Sequence, residues 1–190
     1  MLVLKSNPVS TTRKGWWIGV FFLLPTKRWQ QKSGDGFEAQ KVLAFNYGHI
    51  CMPNSNRLQC AGSRLLLQES IADLLLRKLK DRMETLIVGN PLDKNTDIGA
   101  INSKAQLQTI RKYLRIGEKE GASLHQSSCP LPSKGYWCRP TLFLDVAQSH
   151  RVATEEIFGP VLSVLTFRTV DEAIQMANNV PYGLSGGVWT

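Results

Sequence analysis

The residues of this 190-residue chain that are best suited to covalent chemistry are its four cysteines. A cysteine is partly ionised near neutral pH, and its thiolate is a good nucleophile and a good leaving group. Cys51 and Cys60 are candidates for this role, whereas Cys129 lies in a proline-rich loop and Cys138 at a strand start. Taken alone, an isolated cysteine is more often a small buried apolar residue than a nucleophile.

Other polar residues offer weaker signals. Glu155 and Glu156 are adjacent carboxylates, and outside a recognised motif such a pair is usually solvated at a loop. His49, His125 and His150 have no cysteine or aspartate at metal-ligand or triad spacing, and we assign them no role. The sequence contains no GxGxxG, P-loop, HExxH or CxxC motif. Spacing alone therefore predicts no metal site and no particular reaction.

Composition excludes several classes of protein. Apolar residues make up 43% of the chain and charged residues 20%, which argues against a disordered or fibrous protein. The cysteines have no paired spacing, which argues against a disulfide scaffold or a zinc ribbon. The net charge of +8 is concentrated in residues 1–36, which carry +5 of it. Because the remaining chain shows no basic patch with interleaved aromatics, we expect no nucleic-acid partner.

The first 36 residues differ from the rest and are called the leader below. A basic start precedes the apolar run from Trp16 to Leu24, which at nine residues is too short to cross a membrane. The order resembles a signal peptide, but no small-residue cleavage site follows. We expect an unrelated, loosely ordered leader and a cytoplasmic protein, with membrane association through residues 16–24 as the alternative.

Strand-like and helix-like segments alternate after residue 36, which predicts β-α-β units on a largely parallel sheet. The predicted strands are Arg64–Gln68, Pro140–Val146, Val161–Phe167 and residues 187–190. The predicted helices begin at an N-cap Ser70 and stop at Gly89, run from Ser103 to Glu120, and run from a Thr169–Glu172 capping box to Tyr182-Gly183. Since the chain stops as a strand begins, it has the pattern of a truncated domain.

Three stretches resemble the aldehyde dehydrogenases. Phe45-Asn46-Tyr47-Gly48-His49-Ile50-Cys51 resembles the family's nucleophile motif, and Cys60-Ala61-Gly62-Ser63-Arg64 resembles the segment that follows the reactive thiol. Glu155-Glu156-Ile157-Phe158-Gly159-Pro160-Val161 resembles the cofactor motif. The resemblance covers residues 37–190, and Leu65 to Ser70 are most similar to the family-sixteen branch. It implies a partial, three-layer α/β/α catalytic domain with a mostly parallel sheet.

The resemblance also implies roles for individual residues. Cys51 would be the nucleophile that attacks an aldehyde, Glu156 would bind the nicotinamide ribose hydroxyls, and Phe158 would contact the nicotinamide end. Cys60 is the alternative nucleophile. The cofactor would be NAD or NADP, and the substrate a small-molecule aldehyde.

The chain departs from the family pattern in several places. Residues 52–59 lie between Cys51 and Cys60, where members of the family have no insertion, and His49 replaces a glutamine. The segment with the general base, the dinucleotide domain, the oxyanion-hole asparagine and the oligomerisation strand are absent from these 190 residues. We therefore expect an oxidoreductase by descent whose isolated fragment is inactive and does not form the family's homo-oligomer. The alternative is a non-catalytic interaction module or pseudo-enzyme.

Overall fold

The computed structural model describes residues 19–23, 62–183 and 185–189. These residues contain one six-stranded sheet, ordered β3-β4-β5-β2-β1-β6, in which only the β3–β4 pair is antiparallel. The strands are β1 (Gly19–Leu23), β2 (Gly62–Gln68), β3 (Ser123–Gln126), β4 (Thr141–Leu144), β5 (Val161–Phe167) and β6 (Ser185–Trp189). The largely parallel sheet predicted from the sequence is confirmed.

Four helices accompany the sheet in the described part of the chain: α1 (Glu69–Glu84), α2 (Lys104–Lys119), the single turn α3 (Arg151–Thr154) and α4 (Val170–Asn178). None of them is long and apolar enough to cross a membrane. Two helices have side-chain N-caps, and the one predicted from the capping box at Thr169 is confirmed. The side chain of Ser103 accepts the backbone N–H of Gln106 at the start of α2, and that of Thr169 accepts the N–H of Glu172 at the start of α4.

The core is divided by the sheet into two apolar layers. On one face, Leu65 and Leu67 of β2 pack with the buried side of α1. On the other face, Leu66 and Phe143 pack with α2, α3 and α4. Because successive strand residues point to opposite faces, the run of three buried leucines supplies both layers. The predicted three-layer α/β/α architecture is confirmed.

Three predicted helix boundaries are wrong. Helix α1 ends at Glu84, before the predicted stop at Gly89. Helix α1 begins at Glu69 directly after β2, with Gln68 at the N-cap and no side-chain cap, so Ser70 lies inside its first turn. Strand pairing of Gln68 with Phe167 keeps the chain extended up to that point. Helix α4 ends at Asn178, before the predicted Tyr182-Gly183. Pro181 disfavours helical backbone at Val180, which explains the earlier end.

The sheet contains elements that the sequence pattern did not predict. Strand β3 and the turn α3 are four residues long, too short to show a clear period. Strand β1 belongs to the leader and lies between β2 and β6, so these five residues are not loosely attached as we expected. Their apolar composition suits a strand with neighbours on both sides. The other leader residues lie outside the described part.

Candidate functional site

The loop from Glu155 to Pro160, called the EE loop, carries two of the predicted site residues. It connects α3 to β5, and its ends are fixed by backbone hydrogen bonds from Glu155 N to Arg151 O (2.8 Å) and from Thr141 N to Pro160 O (2.9 Å). Glu156 is half-buried, whereas Phe158 is 55% exposed. The backbone of Phe158 has φ of +52°, a left-handed conformation that non-glycine residues seldom adopt. The structure thus places Glu156 and an exposed aromatic ring on one short, constrained loop.

Helix α2 supports the EE loop from the side. The side-chain amide of Gln106 donates to the carbonyl oxygens of Ile157 (2.8 Å) and Phe158 (2.9 Å). One turn further along, Ile110 packs so closely on Gly159 that a Cβ there would lie 2.6 Å from its Cδ1 atom. A side chain at residue 159 would therefore force Ile110 to move, and the loop follows the surface of the helix.

Glu155 is held by two side chains at the start of the loop. Arg151 donates from Nε to Glu155 Oε1 and from Nη2 to Oε2, both at 2.8 Å. The hydroxyl of Tyr113 in α2 donates to Oε2 at 2.6 Å, and the Arg151 guanidinium lies 5.7 Å from the centre of the Tyr113 ring. The hydrogen bonds from Arg151 keep the pKa of Glu155 below its ordinary value despite partial burial. Glu155 is therefore ionised at neutral pH.

Tyr182 lies beside the same carboxylates. Burial, and then the negative charges of Glu156 and Glu155, raise the pKa of its hydroxyl. Burial and the hydrogen bond to Glu155 raise the pKa of Tyr113 in the same way. Both phenols are therefore neutral at physiological pH and can act as hydrogen-bond donors.

Arg64 connects the strand after Cys60 to helix α4. Its guanidinium is 2% exposed and donates to the carbonyl oxygens of Met176 (3.2 Å) and Ala177 (3.1 Å) at the end of that helix. Burial lowers the pKa of Arg64 to about 10, so the side chain remains charged at neutral pH. A cation at a helix C-terminus interacts favourably with the exposed carbonyls.

The cysteines divide into two groups. Cys51 and Cys60, the candidate nucleophiles, lie outside the described residues. Cys129 and Cys138 are buried, and desolvation raises the pKa of the Cys138 thiol to about 11. At neutral pH Cys138 is protonated and a poor nucleophile. Of the predicted site residues, the structure brings together Glu156 and Phe158.

The sequence reasoning missed three residues that shape the site: Gln106, Tyr113 and Arg151. Spacings of four and three residues place Gln106, Ile110 and Tyr113 on one side of α2. Polar and apolar residues on the same side of a helix indicate that this side contacts another part of the chain. Arg151 and Glu155 have the i, i+4 spacing of an ion pair. Within the described part of the chain, no group of three or more histidine, cysteine or acidic residues could hold a metal ion.

The fold and the loop together define a class of protein. Its sheet is mostly parallel and has helices on both faces, and a loop with two glutamates connects a short helix to a central strand. The sequence profile described as "Aldehyde dehydrogenase family" matches residues 40–190. The chain therefore belongs to the aldehyde dehydrogenase family.

Curated relatives agree with this assignment. A Staphylococcus aureus (strain MSSA476) protein that carries the name of an aldehyde dehydrogenase is 42% identical over 138 residues, which are 71% of this chain and 29% of that protein. A Staphylococcus aureus (strain bovine RF122 / ET3-1) protein of the same name is 41% identical over 138 residues, with the same coverage of both chains. The chain thus spans less than a third of the length of these relatives.

Solved structures have the same fold. An NAD-dependent aldehyde dehydrogenase from Sinorhizobium meliloti superposes with a TM-score of 0.76 at 34% identity, over 93% of this chain and 32% of that one. A P. syringae indole-3-acetaldehyde dehydrogenase in complex with NAD+ gives 0.73 at 38% identity, over 93% and 34% of the two chains. Betaine aldehyde dehydrogenase from Staphylococcus aureus in complex with NAD+ gives 0.76 at 30% identity, over 93% and 33%.

Proposed function

We propose that this chain contributes the catalytic-domain half of an NAD(P)-dependent aldehyde dehydrogenase site, in which a cysteine takes an aldehyde to a carboxylate. The observation that carries the proposal is the EE loop, where Glu156 and the exposed ring of Phe158 lie on one rigid segment within the family match. Solved relatives that share the fold are NAD-dependent. The substrate is a small-molecule aldehyde.

The residues of the EE loop fit one end of a dinucleotide. A carboxylate accepts two O–H bonds from a vicinal diol, so Glu156 suits the nicotinamide ribose. The exposed ring of Phe158 offers an apolar contact near the nicotinamide. When bound, the cofactor would supply the hydride acceptor.

Cys51 is the proposed nucleophile. Its thiolate adds to the aldehyde carbon to give a thiohemiacetal. Loss of hydride from that carbon, for which the bound cofactor would be the acceptor, gives a thioester, and water then hydrolyses the thioester to the acid and the free thiol. The backbone N–H of the cysteine can stabilise the oxyanion. Cys60 is the alternative, but counting back from Arg64 gives it the position of the ordinary neighbouring cysteine of the motif. Residues 52–59 include Pro53 and Asn54-Ser55-Asn56 and have loop chemistry, so we expect them to bulge outward and to displace Cys51 from strand β2.

Several finer properties belong to the same proposal. We place the chain in the family-sixteen branch, on the residues from Leu65 to Ser70, and in the cytoplasm. The domain boundary is set at residue 36, with the leader before it and the partial catalytic domain after it, except that strand β1 of the leader belongs to the sheet of that domain. The 190 residues alone are expected to turn over aldehyde poorly, because one ribose contact and one ring contact supply only a small part of a dinucleotide's binding energy. Calorimetry should give an NAD dissociation constant above about 100 µM.

A chimaera tests the proposed activity. The matching segment of the Staphylococcus aureus relative is replaced by residues 40–190 of this chain, so that the relative supplies the remaining two thirds of the protein. NADH formation from a simple aldehyde is then followed. We expect weak turnover, which rises about a hundredfold when residues 52–59 are deleted, because a displacement of ~1 Å at a reacting centre has an effect of this size.

Two serine variants of the deleted chimaera assign the nucleophile. Cys51→Ser should abolish NADH formation, whereas Cys60→Ser should retain it. The reverse pattern would make Cys60 the nucleophile. A deleted chimaera that is folded, binds NAD and forms no NADH would contradict the enzymatic proposal and favour the non-catalytic module.

A further inference from the structure

The two adjacent carboxylates of the EE loop differ in what they contact. Glu155 accepts three hydrogen bonds, two from Arg151 and one from Tyr113, all between 2.6 and 2.8 Å. An ionised carboxylate has about four acceptor positions, so Glu155 is nearly saturated by its own chain. Glu155 is therefore committed to holding the loop and is a poor candidate for a diol.

The contacts to Glu155 form a rigid bracket between two helices. Arg151 belongs to the turn α3 and Tyr113 to α2, so their shared acceptor ties the first residue of the loop to both elements. The bidentate pairing fixes the carboxylate plane, and the stacked guanidinium and phenol limit each other's rotation. Because Glu156 follows directly, the direction of its backbone depends on this bracket.

The second half of the loop is held independently. The side-chain amide of Gln106 donates to the carbonyl oxygens of Ile157 and Phe158, and the side chain of Ile110 packs against Gly159. The left-handed backbone of Phe158 is strained for an aromatic residue and persists only where its surroundings enforce it. Glu156 therefore lies between two fixed points, one at Glu155 and one at residues 157–159.

We propose that Tyr113 and Arg151 are positioning residues that hold Glu156 and Phe158 in their working arrangement through Glu155. The inference rests on the proposed function, since the arrangement serves the ribose contact assigned above to Glu156. Neither residue touches the cofactor in this proposal. Because they act on the loop, the loss of the Tyr113 hydroxyl in α2 should reduce the backbone order of residues 156–158.

The loop itself gives the first measurement. ¹⁵N relaxation on the full 190-residue chain reports backbone order at Glu156, Ile157 and Phe158. We expect order parameters of about 0.85 in the unmodified chain and below about 0.7 in Tyr113→Phe, which removes only the hydroxyl. Arg151→Lys keeps the positive charge but loses the planar guanidinium that makes two hydrogen bonds to Glu155, so it should lower the order parameters similarly.

A matched control separates positioning from a general loss of stability. Tyr136→Phe removes the same hydroxyl from an exposed tyrosine in the loop before β4. Both phenylalanine variants should unfold at nearly the same urea concentration as the unmodified chain, while only Tyr113→Phe loosens the EE loop. If the order parameters of residues 156–158 are unchanged in both Tyr113→Phe and Arg151→Lys, the positioning proposal is wrong.

Binding of nicotinamide riboside gives the second measurement. This probe carries the vicinal diol and the ring without the adenylate, and it is titrated to about 20 mM while the loop amides are observed. We expect saturable shifts that weaken about threefold in Tyr113→Phe and remain unchanged in Tyr136→Phe. If the unmodified chain shows no shifts but Tyr113→Phe still loosens the loop, positioning stands and the ribose contact of the proposed function fails. If the riboside binds equally to both chains, Tyr113 does not position Glu156.

Discussion

Arg64 is a full positive charge inside the layer between the sheet and helix α4. Its two charge-assisted hydrogen bonds go to the carbonyl oxygens of Met176 and Ala177 in the last turn of the helix, and the Met176 oxygen also accepts the backbone N–H of Asn179 at 3.4 Å. Burial of the guanidinium costs hydration free energy and opposes the stabilisation from these hydrogen bonds, which is also why the pKa of Arg64 is lowered to about 10. The difference between the two free energies decides whether Arg64 stabilises the fold or only specifies where α4 ends.

Replacing Arg64 by methionine should lower the free energy of unfolding by about 2 kcal/mol, because the buried Ala177 carbonyl loses its side-chain donor and the Met176 carbonyl keeps only the backbone N–H of Asn179, while the apolar volume is kept. Urea denaturation of the full chain measures it. Arg168→Met is the matched control, since Arg168 is 78% exposed and pairs with Glu69 on the surface, where such a pair contributes less than about 1 kcal/mol. An Arg64→Met chain as stable as the Arg168→Met chain would contradict the assignment.

Glu155 also makes stability depend on pH. Its pKa in the folded chain lies below the ordinary value of 4.5, chiefly through the hydrogen bonds from Arg151. Its stabilising contribution is therefore fully present above the ordinary pKa and is lost as the pH falls through the lowered one. We expect Glu155→Gln to lower the melting temperature at pH 6, and the difference to shrink progressively as the pH is lowered below 4.5.

Melting curves of both chains across this pH range measure the difference. Glu118→Gln, at an exposed position of α2, should track the unmodified chain throughout. A Glu155→Gln deficit that is as large at low pH as at pH 6 would contradict this assignment, because the loss would then come from an amide N–H₂ facing the donors Arg151 and Tyr113 and not from the ionisation of Glu155.

At the scale of elements, the position of helix α2 is set by its close packing against strand β4. Gly117 faces Phe143, and a Cβ at this glycine would lie 2.4 Å from the ring carbon Cε1. Phe143 is fully buried and has little room to move. The glycine thus sets the distance between the helix and the sheet, and the same helix carries Gln106 and Tyr113 to the EE loop.

Gly117→Ala should destabilise the chain although alanine is the better helix former. The gain in helix propensity is about 1 kcal/mol, whereas overpacking a buried site costs about 1–3 kcal/mol. Thermal unfolding should show a lower midpoint, and adding Phe143→Leu should recover part of it by making room for the methyl group. A more stable Gly117→Ala chain would mean that helix and sheet separate without penalty.

The elements that could be predicted from the sequence are those with a strong local signal. Strand β5 was predicted with its observed bounds because a run of apolar residues precedes a capping box, and α2 because Ser103 and the spacing of Leu107 and Ile110 agree. The start of α1 could not be predicted, because it depends on strand pairing of Gln68 with a distant segment. Of the site, the motif supplied Glu156 and Phe158. Two of their three supports, Gln106 and Tyr113, come from α2, more than forty residues earlier in the sequence, and only the fold brings them together.

For the whole molecule, the position of strand β1 matters most. It is the only strand between β2 and β6 in the described sheet, paired with β2 on one side and β6 on the other. Strand β2 leads out of the segment that contains Cys60 and carries Arg64, which holds the end of α4. The sequence pattern places β1 in a loosely ordered leader, whereas its hydrogen-bonded position in the sheet connects β6 to β2.

Two truncations test which part of the leader the sheet needs. Removal of residues 1–15 leaves β1 intact and should change little. Removal of residues 1–35 also takes β1, so β6 loses its neighbour and the backbone groups along one edge of β2 lose their hydrogen bonds. Hydrogen exchange should then show loss of protection at residues 185–189 and on that edge of β2, with protection of the β4–β5 pair retained. Equal protection in both truncated chains would contradict the structural role of β1 and agree with the expectation of a loosely ordered leader.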